Sequence, residues 1–141
     1  MTNVTIDPTH VRPLVGSTVI PKTAGEASDV GTTVYFSDDD TVLETDANDA
    51  ATVTGRVGMI VAGGRHEPSG AIAEGERVTV LEFGRVSLGP DADLDITKQY
   101  FASDTKGLIG DVAGTVTRRL GAPESSEVFF FNPDAASATS S

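Results

Sequence analysis

The sequence has no cysteine and no tryptophan, only three lysines, and no long apolar run. The missing cysteine rules out a disulfide framework, a thiolate nucleophile and any Cys-ligated zinc or iron–sulfur centre. The longest apolar stretch, about Val57 to Ala62, is already broken by Gly58 and falls far short of the ~20 residues that a bilayer-crossing helix needs. Met1-Thr2-Asn3-Val4 contains no basic region followed by an apolar one, so no secretory leader is expected and a soluble intracellular product is. Only two histidines are present, His10 and His66, and no third ligand or nucleophile stands at a spacing that joins either into a site. The Gly63–Gly70 loop lacks the Gly-Lys-Ser/Thr ending of a phosphate cradle. No catalysis, cofactor or metal is therefore expected. Asp91-Ala92-Asp93-Leu94-Asp95 opens like a calcium loop, but the positions that need Gly and a bidentate Glu hold Ile96 and Ala102, and a solvated turn is the better reading.

What is present is acid. The chain carries 21 Asp plus Glu against 10 Lys plus Arg, a formal charge of -11, which repels phosphate backbones and anionic lipid and argues against nucleic acid or membrane as partners. The kind of charge is uneven, with 13 Asp and 8 Glu facing 3 Lys, and with 17 Thr and 15 Ala. Such a surface repels itself in dilute buffer and is tolerable where molar salt shortens the Debye length to ~3 Å, so a salt-loving source is expected.

The core residues are sufficient for one domain: Val, Ile, Leu and Phe fill 35 of 141 positions, above the ~20% below which charged chains stay disordered. β-Branched and aromatic residues gather in short runs punctuated by Gly, Asp and Pro, the pattern of an all-β fold. The runs are 32–37, 41–44, 54–61, 77–83, 85–88, 97–102, 114–120 and 127–131, so a small β-barrel or sandwich of about eight short strands is expected. Clean alternation at Arg77-Val78-Thr79-Val80 points Val78 and Val80 inward. In Asp38-Asp39-Asp40, between two runs, Asp suits a turn because its side chain bonds nearby amides.

Two similar halves are legible. Thr33-Val34-Tyr35-Phe36-Ser37-Asp38-Asp39 resembles Lys98-Gln99-Tyr100-Phe101-Ala102-Ser103-Asp104, and Thr52–Gly58 resembles Thr115–Gly121, in the same order. Residues 1–25 hold Pro8, Pro13 and Pro21 and read as an extended N-terminal arm outside a β-barrel domain at 26–133, with a loose tail at 134–141. The arm's dispersed apolar residues, Val4, Ile6, Val11, Leu14, Val15, Val19 and Ile20, are candidates for gripping a partner, and the 26–133 core is expected to fold without them. Phe129, Phe130 and Phe131 put aromatics on both faces of one strand, which makes them candidates for a contact between copies.

The succession Val30–Phe36, Val57–Val61, Val78–Gly89, Gln99–Ser103, Arg119-Leu120-Gly121 and Val128–Pro133 resembles the small β-barrel head decoration, or cement, proteins of tailed viruses. The resemblance spans about residues 25 to 133. It implies a non-enzymatic virion protein on the outer capsid, often a homotrimer, that clamps major capsid protein subunits together, with an N-terminal arm commonly touching the shell. A capsid turret, head fibre or tail component stays open as an alternative, and so does a cellular β-domain binding a small ligand or carbohydrate, which would display a concave pocket with convergent polar groups.

Overall fold

The computed structural model describes residues 3–63 and 70–133; His66 and the 134–141 tail lie outside them. The chain is all-β. Among the described residues the strands are β1 (Arg12–Pro13), β2 (Thr18–Ala24), β3 (Ser28–Asp29), β4 (Thr33–Phe36), β5 (Thr41–Glu44), β6 (Val57–Gly63), β7 (Ala71–Ile72), β8 (Arg77–Ser87), β9 (Tyr100–Ala102), β10 (Ile109–Gly110), β11 (Arg119–Pro123) and β12 (Val128–Phe131). Strands β8, β2, β5, β4 and β6 follow one another, and β6 pairs with β8 again, so these five close a barrel. From the other end of β8 an open antiparallel sheet continues as β12, β11, β9 and β10, while β3 and β7 form a separate two-stranded ribbon.

The two halves repeat one topology. Strand β4 pairs with β5 and β6, and β6 with β8; β9 pairs likewise with β10 and β11, and β11 with β12. Equivalent residues also meet: Phe36 N–H donates to the Arg56 carbonyl at 3.1 Å, and Phe101 lies opposite Arg119. The buried Arg118 guanidinium ties the halves by donating to the carbonyls of Val53 (2.9 Å) and Gly55 (2.8 Å).

Strand β8 runs for eleven residues, joining the 77–83 and 85–88 segments that the sequence separates at Gly84. Gly84 sits at φ +127°, a region open to glycine, and still pairs with Phe131; a Cβ there would lie 2.7 Å from Ser17 Cα. The strand therefore turns a corner from barrel to open sheet without ending. Along it Val78 and Val80 point inward as the alternation indicates, and Arg77 stays exposed. Register slips at Thr18/Val19 and Ile60/Ala62 bend the barrel strands around their small core. Val34, Val42, Ile60 and Val80 share the inner face of the barrel, and the buried Met59 and Leu81, which pair with each other on the opposite face, join Val86, Leu88, Leu120, Phe129 and Phe131 in one continuous cluster with them.

The N-terminal segment differs from its sequence reading. It is extended, but it lies on its own domain, and the domain begins well before residue 26. Val4 and Val11 are buried, Ile6 packs against the core, and β2 is a wall of the barrel. Its fit is close enough that a Cβ on Gly31, at φ +98°, would meet Ile6 Cγ2 at 2.8 Å. Pro21 is tolerated within β2 for a geometric reason. Thr23 N–H points to the β5 side, where it bonds the Asp40 carbonyl, so the nitrogen of Pro21, two residues earlier, faces the same side before pairing with β5 begins. No ladder bond is lost.

Candidate functional site: an apolar strip at the corner of β8

Alternation along β8 places Phe83, Arg85 and Ser87 on one face, and register aligns them with neighbouring strands. Arg85 stands opposite Phe130 and Ser87 opposite both Arg12 and Val128. The Phe83 and Phe130 rings meet edge to face, 5.3 Å between centroids at 77°. Phe83 is 45% exposed and Phe130 half-buried, so this pair forms an apolar strip on the outside of the corner. Thr18 lies opposite Phe83, and Val19, the next residue, is 44% exposed. The Leu14–Ser17 turn is pinned alongside: Leu14 N–H (2.9 Å) and the Ser17 hydroxyl (2.8 Å) both donate to the Arg85 carbonyl, leaving Val15 fully exposed at the tip.

The candidate residues thus sort into two sets. Val4, Val11, Phe129 and Phe131 are buried in the domain's own core, Ile6 and Ile20 pack against it, and these six present little surface to another molecule. Of the others, Phe130 meets Phe83, Leu14 is tied to the Arg85 backbone, Val19 follows the Thr18 that pairs with Phe83, and Val15 stands fully exposed at the tip of the turn. Phe83 was missed in the sequence, yet the alternation that turns Val78 and Val80 inward, carried on to residue 83, turns it outward.

Charge around the strip departs from that of the whole chain. Arg56, Arg85 and Arg12 rim it, with Glu82 paired to Arg56 and Glu124 held by Arg85 at 2.7 Å. Arg56 also stacks on Phe36 at 4.4 Å. Two of these three positive groups are neutralised by their paired glutamates, so the rim is close to neutral on a chain of net charge -11.

A second surface is concave. An open cleft of about 680 Å³ lies between the 92–98 segment and the edge of the second sheet, with Asp93, Asp95, Lys98 and Asp111 on its walls beside Leu94, Ile96 and Val4. Lys98 Nζ donates to Asp111 at 3.2 Å, and Tyr100 OH accepts the Asp95 N–H at 2.9 Å. Bonds from the Thr97 hydroxyl and N–H hold the Asp95 carboxyl below its usual range, so it belongs to a turn. Asp38 does the same work in the β4–β5 turn, accepting from the amides of Asp40 and Thr41. His10 touches Asp7 at 3.4 Å. Among the described residues no three His, Asp or Glu side chains converge in a metal-binding group.

In comparisons with family models, with curated proteins and with solved structures, the chain matches none.

Proposed function

We propose that this chain is a structural virion protein that decorates the outer capsid of a tailed virus and stabilises the major capsid protein lattice, associating with other copies of itself as it does so. The observation that carries the reading is the Phe83–Phe130 strip, an exposed aromatic surface rimmed by arginine on an otherwise acidic β-domain. Aromatics and Arg are the residue types that dominate protein–protein contacts, and acidic side chains are depleted there. The motif resemblance along 25–133 supplies the kind of partner. In this reading capsid contact comes from the strip together with the short Leu14–Val19 stretch beside it, which carries the fully exposed Val15. Modest contacts per copy would gain strength from the many sites of the lattice. The Asp-rich, Lys-poor composition suits a virus of a salt-loving host such as a haloarchaeon.

The test is co-sedimentation with capsids of the encoding virus, stripped of decoration, in molar salt. Wild-type chain should saturate at a fixed number of copies per particle, and Phe83→Ser/Phe130→Ser should fail to bind while keeping its circular dichroism spectrum. Absence of wild-type binding, or undiminished binding by the variant, overturns the reading. The salt-loving part is tested separately, because an unfolding midpoint that stays fixed between molar and dilute salt removes it. The cleft beside Asp93 favours a second reading, a β-domain that binds a small polar ligand, which calorimetric titration with sugars and polyamines would reveal.

A further inference from the structure

Resting on the reading of the cleft between the 92–98 segment and the second sheet as a small-ligand site, we propose that it takes a carbohydrate, a neutral mono- or disaccharide. Charge narrows the choice first. The Lys98 ammonium on the wall opposes a cation, and the carboxylates of Asp93, Asp95 and Asp111 oppose an anion. Lys98 and Asp111 also pair with each other at 3.2 Å, so the field of each is largely cancelled while their capacity for hydrogen bonds remains. A neutral molecule that both donates and accepts along its length meets neither objection.

Hydrogen bonding narrows it further. A sugar hydroxyl gives one proton and accepts others, and its neighbour on the ring lies about one hydrogen-bond length away, so a sugar needs donors and acceptors side by side. The Lys98–Asp111 pair sets a donor next to an acceptor. Both bonds from Thr97 fall on Asp95 Oδ1, so Oδ2 is not spent on the turn. Tyr100 adds a separate observation. It lines the cleft, is only 4% exposed, and its hydroxyl oxygen accepts the Asp95 N–H. Among the described residues no acceptor takes the hydroxyl proton, so a buried donor stands on the wall, the kind of group that a ligand satisfies.

Apolar surface completes the fit. Ile96, 66% exposed, shares the lining with the buried Leu94. An isoleucine so open to water adds little to the domain's own core, whereas the C–H face of a sugar ring is a surface that it can cover. The volume of about 680 Å³ lies within the ~300–1,000 Å³ of small-ligand sites. The wall is also held before a ligand arrives, because Leu94 N–H donates to the Ser126 carbonyl at 2.8 Å and Lys98 N–H to the Asp95 carbonyl at 3.0 Å, which limits the entropy lost on binding.

The experiment is a two-dimensional proton–nitrogen NMR titration of the full chain with methyl α-glucoside, methyl α-mannoside, methyl β-galactoside, maltose and trehalose, and with spermidine and citrate as charged controls. At least one sugar should move the amide signals of residues 94–98 and 111 in a saturable way and leave those of Phe83 and Phe130 in place. Lys98→Met should weaken binding of that sugar about tenfold. Ile96→Ser, which keeps the polar groups and removes apolar surface, should weaken it about threefold. Both side chains lie at the surface, and an unchanged thermal transition verifies folding. If no sugar moves these signals, or if neither variant weakens the sugar that does, the carbohydrate assignment is overturned. Where spermidine or citrate moves them in place of every sugar, the small-ligand reading of the cleft survives with another class of ligand, and where nothing does, both fall together.

Discussion

In the first half of the chain, β5, β4, β6 and β8 curl into a barrel, and β2 fills the gap between β8 and β5. In the second half, β10, β9, β11 and β12 have the same order and the same pairings, but among the described residues no strand joins β12 back to β10, and the sheet stays open. The difference is the N-terminal segment. It gives the whole of β2 to the first half; to the second it gives the two-residue β1 beside Val86 and Ser87 and, at the far edge, a bridge from Asn3 to Gly110 and a bond from Val4 N–H to the Ile109 carbonyl, none of which spans from β12 to β10. Closure is therefore a property of an added segment, and the repeated unit by itself makes a sheet with one face to cover.

Removing that segment is the largest perturbation. Deletion of residues 1–24 takes out β2 and the buried Val4 and Val11, so the truncated chain should show no cooperative thermal transition. A sharp transition would mean that the first half closes unaided. Next come the two faces of β12. Phe129 is fully buried, and Phe129→Ala should cost about 3–5 kcal/mol. Phe130→Ala, which loses a half-exposed ring and its edge contact with Phe83, should cost about 1 kcal/mol, and denaturant titration of both variants measures the gap. Equal costs would mean that the open sheet is covered on both sides within one copy.

Smaller again is the tie between halves. Arg118→Met keeps the bulk but leaves the Val53 and Gly55 carbonyls without their donor, a loss of about 1–3 kcal/mol by the same titration. The smallest effect concerns Glu44 on β5. Burial, and then the neighbouring Glu26, raise its carboxyl above the ordinary value, so its ionisation favours the unfolded chain. That penalty is present at neutral pH and vanishes as the pH drops below the unfolded-state value. Glu44→Gln should stabilise by a few tenths of a kcal/mol at pH 7 and by nothing near pH 3, measured as the difference in unfolding midpoint.

Much of this architecture can be read from the residues. The Thr41–Glu44 strand has the bounds its β-branched run suggests, and the repeat around Tyr35-Phe36 and Tyr100-Phe101 marks strands with matching partners. The misreadings have physical causes. Proline at position 21 argues against a strand until the direction of its nitrogen is known, which only the pairing reveals. Glycine at position 84 reads as a break, although its positive φ bends the strand and lets it continue. Strand β11 begins at Arg119, later than the 114–120 run, because Val116 N–H is spent on the Ala47 carbonyl in a loop between the halves. Two-residue strands such as β7 and β10 are too short to carry a period. For the candidate site, the outward side of Phe129-Phe130-Phe131 could be foreseen, but that Phe130 meets Phe83 depends on the pairing of strands distant in sequence.

Strand β8 has a consequence for the history of the fold. Its first seven residues wall the barrel and its last four carry the open sheet, so both copies of the repeat own part of the same backbone. Had the halves arisen from duplication of a single ancestor, neither descendant could now be cut free: a gene split at residue 88 would leave the downstream product without the strand on which its sheet is built.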